Sequence, residues 1–543
     1  MNGPKASEGT PLLGNTTDFN IKPKSLCNRL FCCRNVLVLM QFAGFVTVYG
    51  MRANLSVALV AMVNQTYANS ASGTRVYVPE CRLDGGNHTV DHTLEDGPFK
   101  WDQDTQGLVL GAFFYGYLVT QLPGGWLAGR YGGKSVFGLG VFFTAIFTLL
   151  TPIAARTHVA LLVAVRLMAG FGEGVTYPAA TVLWSRWTSP AERSAYLVFS
   201  FTGGDFGAIT SMPASGYLSS LKHVDEGWPL AFYVFGALGM LWFLVWVCII
   251  HESPAEHPRI ASWERDYIEE GIGDSQDKVV KKVPVPWLKI LTSVPLWAVT
   301  VEGCAYSWGW YMFLTGLPSF FKEVLDFDIK KNGALTALPF IATLIVKNTS
   351  GYVSDRLQKH PSISRSVVRK GMTFLSFLFA ATLLVPVGFL NCSQQNISVL
   401  LLTLSCGSLG LYAPTGSANS VDLSPRFAGV TMAIYNCFSN ITGILVPTVI
   451  GLMTNNEPTR GQWQKLFYIT CGIYVVNTII FLIFGSAEEQ PWNTPYELKR
   501  DITSDVIEGQ SDFSINDGAG PKELRHPLGL IDNDRAVAGS SIA

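Results

Sequence analysis

The sequence predicts an all-α membrane protein of twelve transmembrane helices in two six-helix halves. Three observations carry that reading. Of 543 residues, 48% are hydrophobic and 15% are charged, against about 25% charged in an average soluble domain. Mean hydropathy is positive, at +0.28. Apolar runs of the roughly 20 residues that a helix needs to cross a bilayer recur along the chain. This composition argues against an ordinary water-soluble enzyme. Lys+Arg 39 against Asp+Glu 40 gives a net charge of -1, which leaves no cationic surplus for a nucleic-acid backbone.

Residues 1–35 are polar and form an amino-terminal tail without the short apolar core of a cleavable signal. The first span, near 36–62, then serves as its own insertion signal. A polar loop at 63–104 follows, and spans 2 to 6 are expected near 105–127, 134–154, 159–181, 194–220 and 229–250, completing a half over 36–250. Residues 251–293 are charged and rich in turn formers, as a connector between two bundles should be. The second half, 294–485, holds spans near 294–320, 332–352, 370–390, 397–419, 427–453 and 463–485, and residues 486–543 form a polar tail. Short echoes relate the halves. Gly125-Trp-Leu-Ala-Gly-Arg130 after span 2 matches Gly351-Tyr-Val-Ser-Asp355-Arg356 after span 8, and Ser189-Pro-Ala-Glu-Arg193 loosely matches Ser424-Pro-Arg-Phe-Ala428. Parallel repeats of this kind place a binding site between the halves.

Lys and Arg favour the loops and tails on the amino-terminal side, so both termini are expected in the cytoplasm. The acceptor sequences at Asn64, Asn87, Asn391 and Asn396 all fall in loops assigned to the opposite, lumenal face. Those at Asn54, Asn348 and Asn440 lie inside spans and should stay unmodified. Cys81 and Cys392 are the lumenal cysteines, available for a disulfide. Cys27, Cys32 and Cys33 precede span 1, where either free thiols or palmitoylation fits.

Charges inside the spans carry the functional signal, because each costs about 2.5–3.5 kcal/mol at mid-bilayer. Tyr49, Arg52 and Ser56 share one face of span 1. A guanidinium there can take two carboxylate oxygens and keeps its charge in acid; the structural alternative is a permanent pairing with an acidic neighbour. In span 4, Arg166, Gly170, Glu173 and Tyr177 share a face, and the glycines allow close helix contact. Arg166 and Glu173 are about 10 Å apart along a straight helix, too far to pair directly. Glu173 is the first proton-carrier candidate, against a structural ion pair that never titrates. Asp205 and Glu302 are further proton-coupling candidates, and Lys347 either lines the pathway or reaches to the interface. Asp355 and Asp422, where spans 8 and 10 leave the membrane, fit gating or loop contacts, as does Arg166. Tyr115 and Tyr117 in span 2 and Tyr306, Trp308, Trp310 and Tyr311 in span 7 offer rings and hydroxyls, with Tyr306 favoured because it stands one turn from Glu302.

Enzyme signals are weak. Ala128-Gly-Arg-Tyr-Gly-Gly133-Lys-Ser135 approaches a phosphate-binding loop but has Ala128 in place of its first glycine. The eight His show no zinc-ligand spacing. No metal or cofactor is expected.

The segments Tyr49-Gly-Met-Arg52-Ala-Asn-Leu-Ser56, Gly116-Tyr-Leu-Val-Thr-Gln-Leu-Pro-Gly-Gly125, Gly172-Glu-Gly-Val-Thr-Tyr-Pro-Ala179 and Pro190-Ala-Glu-Arg-Ser194 resemble a known family. It is the organic-anion branch of the major facilitator superfamily, which contains sialin, the vesicular glutamate transporters and the sodium/phosphate cotransporters. The similarity runs from about residue 35 to Trp492 and implies the major facilitator fold. The sialin-like members are most similar, which implies proton-coupled export of sialic acid or related acidic sugars from lysosomes, with acidic amino acids as further substrates. The resemblance implies that Arg52 binds the substrate carboxylate, that Tyr49 and Tyr306 line the site and that Glu173 carries the proton. Glu8-Gly-Thr-Pro-Leu12-Leu13 resembles the family's acidic dileucine signal, read by a sorting adaptor. The chain departs from the pattern at Ala169, where sialin-like chains carry a second glutamate, and at Thr181 and Ser420, where relatives tend to have histidine. Asp205 and Glu302 are acids where relatives are uncharged. Two other readings stand beside this one: a sodium-driven phosphate or anion cotransporter of the plasma membrane, and a membrane receptor or scaffold without turnover.

Overall fold

The computed structural model describes residues 32–64, 97–276 and 285–493, apart from 189, 359, 361, 425–426 and 455–458. The dileucine residues Glu8, Leu12 and Leu13, together with Cys27, Cys81 and Asn87, lie outside the described residues. The chain divides after Glu489, and the part before it forms one compact unit.

The described residues are helical almost throughout, with one isolated bridge between Val63 and Phe99. The first half contains α1 (Cys33–Met62), α2 (Gln103–Tyr131), α3 (Gly133–Thr157), α4 (Val159–Gly174), α5 (Thr176–Trp187), α6 (Pro190–Ser220) and α7 (Trp228–Ile249). Two short helices, α8 (Ser262–Gln276) and α9 (Trp287–Leu291), lie in the connector. The second half contains α10 (Val294–Tyr311), α11 (Leu317–Glu323), α12 (Ile329–Gln358), α13 (Arg365–Leu384), α14 (Gln395–Ser408), α15 (Gly416–Asp422), α16 (Ala428–Thr454) and α17 (Arg460–Phe484). Every expected span coincides with helix. Among the described residues nine helical stretches are long and apolar enough to cross a membrane, making this a multi-pass membrane protein. The expected spans 2, 5 and 7 are not among the nine, although α2 has 29 residues and α6 has 31. Their glycines, serines and tyrosines lower the apolar content.

Several boundaries differ from expectation, and each has a local cause. The echo segments Gly125–Arg130 and Gly351–Arg356 do not follow their helices but close them, because backbone bonding continues beyond the apolar run and a terminal arginine complements the helix dipole. Span 4 breaks between α4 and α5 at Val175, after Gly172 and Gly174. Span 7 contains a five-residue π turn, Met312–Gly316, between α10 and α11. Span 10 is interrupted between Leu409 and Gly416.

The connector is more than a tether. The Glu264 carboxylate accepts from the backbone N–H groups of Cys33 and Arg34, both at 2.9 Å, and is 1% exposed. It thereby satisfies the orphan donors of the first turn of α1 and sits at the positive end of its dipole. Glu252 does the same for α3, accepting from Gly133 at 2.7 Å and Lys134 at 3.0 Å, while Arg186 holds it at 2.9 Å. Gly132 stands at φ 97, and a Cβ there would collide with the Glu252 carboxylate.

The halves meet closely at the end away from the connector. A Cβ on Gly216 of α6 would lie 3.0 Å from Gly333 Cα of α12, and one on Gly107 of α2 would lie 2.6 Å from the Pro447 carbonyl oxygen of α16. Glu323, 5% exposed at the end of α11, accepts from Gln103 Nε2 at 2.9 Å and Trp463 Nε1 at 3.0 Å. At the connector end a Cβ on Gly129 of α2, Gly351 of α12 or Gly429 of α16 would meet nothing within 4 Å.

Cys392 is disulfide-bonded. The seven other described cysteines, Cys32 and Cys33 among them, are free.

Candidate functional site

Above the closed end, helices of both halves surround a cavity of about 230 Å³. The first half contributes Tyr49, Tyr117, Tyr177 and Asp205; the second contributes Tyr306, Trp310, Lys347 and Tyr435.

Immediately behind this wall lies the pair that organises the site. The Arg52 guanidinium of α1 donates to the Glu173 carboxylate of α4. Their side chains are 3% and 0% exposed. Four rings enclose the guanidinium, at 4.6 Å for Tyr49, 4.9 Å for Tyr117, 5.1 Å for Phe113 and 5.8 Å for Phe114, a favourable setting for a desolvated cation. The expected face of span 4 explains how Glu173 arrives there. Gly170 has no room for a side chain against the backbone of Phe113 and Tyr117, so α4 lies directly on α2 and carries Glu173 inward. Tyr177, at the start of α5, places its hydroxyl 3.0 Å from that of Tyr49. Arg166 is 2% exposed, with its guanidinium 5.2 Å from the Phe113 ring centroid.

The pair is incompletely satisfied. Glu173 Oε2 and Arg52 Nε are buried without hydrogen-bond partners. A buried charge pair with unsatisfied atoms is a costly arrangement. The structural alternative raised for Arg52, pairing with an acidic neighbour, is thus what the structure shows, and the neighbour is Glu173, the residue expected from the sequence to carry the proton.

The second half supplies the opposite wall. Tyr306 stacks on Tyr412 with centroids 4.5 Å apart. The Tyr412 and Tyr435 hydroxyls are 3.0 Å apart. Tyr311 donates to Asn440 Oδ1 at 2.6 Å. Asp205 of α6 and Lys347 of α12 form an ion pair at 2.8 Å across the two halves.

Other expected residues fall elsewhere. Tyr115 is 47% exposed and takes no part in the cavity; Tyr117 takes the inward place, because residues two apart on a helix point to nearly opposite sides. Glu302 is fully buried, accepting from the Thr373 hydroxyl of α13, rather than lining the cavity beside Tyr306. Asp422 pairs with Arg369 at 2.6 Å, tying the end of α15 to α13. Asp355 belongs to α12, with its side chain outside the described set. At the departures from the family pattern, Ala169 is 1% exposed, Thr181 Oγ1 donates to its own helix at Tyr177 and Ser420 is 0% exposed. Asn391 and Asn396 are exposed and Asn64 half-buried, at the end of the fold that also carries Phe99 and Arg460.

Sequence reasoning missed the Phe113 and Phe114 rings, the Tyr412–Tyr435 pair and Glu323. The two phenylalanines could have been found from their place one turn before Tyr117. The others depend on contacts across helices.

The family model of the Major Facilitator Superfamily matches residues 41–383 and 363–541. Sialin of Ovis aries is 38% identical over 493 residues, covering 90% of this chain and 96% of that protein. Vesicular glutamate transporter 2 of Bos taurus is 35% identical over 486 residues, covering 89% and 79%. Among solved structures, a bacterial homolog of the human lysosomal transporter Spinster, inward-facing and occupied, superposes with a TM-score of 0.62 at 15% identity, covering 84% of this chain and 99% of that one. A D-xylose-proton symporter superposes at 0.57 and 13% identity, covering 83% and 98%. These two show the fold alone. The chain belongs to the Major Facilitator Superfamily, in the family of sialin and the vesicular glutamate transporters, and is a membrane transporter rather than an enzyme.

Proposed function

We propose that this protein is a secondary active transporter of small organic anions, coupling export of sialic acid or a related acidic sugar to export of a proton from the lysosome or another acidic vesicle. The observation that carries the reading is the buried, half-satisfied Arg52–Glu173 pair beside a cavity walled by both halves. The single positive charge of the buried Arg52 balances one carboxylate. When Glu173 takes a proton it becomes neutral and releases the guanidinium, and the substrate carboxylate takes its place; when the substrate leaves, Glu173 gives up the proton and closes on Arg52 again. Anion and proton therefore travel together, one of each per cycle, and the occupied and empty sites carry the same charge. Tyr49 and Tyr306 flank the substrate body. The closed end at Gly216 and Gly333 is the lumenal gate in this reading, and both termini are cytoplasmic. Acidic amino acids are the alternative cargo, because they too present a carboxylate. The acceptor asparagines Asn64, Asn87, Asn391 and Asn396 then face the lumen and carry glycans, and a sorting adaptor reads the dileucine signal.

The test uses Leu12→Ala/Leu13→Ala protein at the cell surface, with labelled sialic acid supplied in acidic or neutral sodium-free medium. Acid-stimulated uptake that disappears in Arg52→Ala is the expected result. Uptake that requires sodium, or no uptake by protein verified at the surface, would overturn the assignment.

A further inference from the structure

The cavity is bordered by a second cation and a second carboxylate. Asp205, midway along α6, and Lys347, on α12, belong to opposite halves and meet at 2.8 Å. Both line the cavity, and their side chains are 12% and 34% exposed, so the pair touches whatever fills it. Its position relative to Arg52 is set by close packing. A Cβ on Gly204, the residue before Asp205, would lie 2.8 Å from the Tyr49 ring. The Arg52 guanidinium lies 4.6 Å from the centroid of that ring. One tyrosine and one glycine therefore separate the two ion pairs around a single cavity.

The charge balance limits what enters. The Lys347 ammonium is already neutralised by Asp205 at 2.8 Å, so the far wall offers no unpaired cation, and the substrate carboxylate goes to Arg52 when Glu173 is protonated. A second anionic group would have to approach Lys347 against the Asp205 carboxylate already seated there, like charge against like charge. Hydroxyl groups meet no such penalty, since the ammonium donates to them and the carboxylate accepts from them.

We infer that the Asp205–Lys347 pair is the specificity element of the site: it receives the hydroxyl-bearing body of a monoanion and turns away dianions. The inference rests on Arg52 being the primary carboxylate receiver. Asp205 acts as the repulsive element, and without it Lys347 becomes a free second cation.

The experiment measures exchange in proteoliposomes containing the full chain, with N-acetylneuraminate as hydroxylated monoanion and glutarate as dianion. Wild-type protein should favour N-acetylneuraminate at least tenfold in kcat/KM. Asp205→Asn should shrink that preference at least tenfold by raising the value for glutarate. The double variant Asp205→Asn/Lys347→Gln, which leaves no unpaired charge to impair folding, should refuse glutarate again. Equal handling of both anions by the wild type overturns the inference, as does a ratio unmoved by Asp205→Asn or glutarate exchange retained in the double variant. An Arg52→Ala control separates the two readings. If it leaves wild-type exchange intact, the Arg52 site itself is wrong; if it abolishes exchange while the ratio ignores Asp205, only the specificity assignment fails.

Discussion

Glu173→Gln is the most informative single substitution. It keeps the size of the side chain and a carbonyl oxygen for Arg52 but removes the charge. Opposite charges about 4 Å apart attract by about 4 kcal/mol at an effective dielectric of about 20. Removing one partner of a buried pair costs about 3–5 kcal/mol because the other remains uncompensated. The rings around Arg52 return about 1 kcal/mol, so the empty variant should lose about 2–4 kcal/mol of stability. A substrate carboxylate restores the missing charge, and recovering about 3 kcal/mol corresponds to roughly 100-fold tighter binding.

Three measurements check this chain of reasoning. Thermal unfolding of the purified variant should show a lower Tm when empty and a larger rise on adding substrate than in wild type. Exchange of internal for external substrate should persist, because it needs Arg52 alone. Accumulation driven by an inward proton gradient should vanish, because no group remains to carry the proton. A folded variant with unchanged affinity and intact acid-driven accumulation would refute the competition between Glu173 and substrate for Arg52.

Three further substitutions probe the scaffold. Tyr49→Phe removes a neutral hydrogen bond to Tyr177 at 3.0 Å, about 1 kcal/mol, while leaving the ring beside Arg52; steady-state transport should show KM raised several-fold at most. Gly216→Val puts atoms where Gly333 Cα lies 3.0 Å from a Cβ, and overpacking of about 1–3 kcal/mol should open that end, read as faster thiol labelling of a cysteine introduced beside the cavity. Glu264→Ala strips two backbone N–H groups of α1 of their acceptor and leaves Arg34 with Glu192 alone; an apparent stability loss of about 2–4 kcal/mol should appear as a lower Tm, with substrate KM unchanged in protein that remains folded.

The helices were legible because a run of apolar residues is a local property, and so were the charges standing within the runs. Arg52 and Glu173 could each be picked out in this way, 121 positions apart, although nothing local said that they would meet. The facing direction of a helix was harder to read. Span 2 carries rings at Phe113, Phe114, Tyr115 and Tyr117, on several sides of the helix, so only packing decides that Tyr117 looks inward and Tyr115 outward. The capping of α1 by Glu264 was illegible for a related reason. A capping box is recognised within four residues, whereas this acceptor comes from 230 positions away. The same holds for Lys347: the sequence leaves pathway and interface open, and what distinguishes them is Asp205, 142 positions away.

The helices least apolar in sequence line both the cavity and the closed end. Spans 2, 5 and 7 fall outside the nine apolar stretches, yet they supply Tyr117, Asp205 and Tyr306 to the cavity, and α2, α6 and α11 supply Gln103, Gly216 and Glu323 to the closed end. A gate that opens and closes in each cycle needs cross-half contacts weak enough for substrate binding to outweigh. Backbone approach at Gly216 and Gly333 meets that need, because small residues allow contact without interlocking side chains. Glu323 meets it as well. Its partner Trp463 belongs to the second half and its partner Gln103 to the first, so a separation of the halves at this point would break the bond to Gln103 and leave the one to Trp463. One hydrogen bond to a charged group is worth about 1.5–3 kcal/mol, comparable with the tenfold to hundredfold affinity differences by which a ligand selects one state over another. With Trp463 still donating, Glu323 would keep one partner in the low-dielectric interior, and opening would avoid the much larger cost of an isolated buried charge.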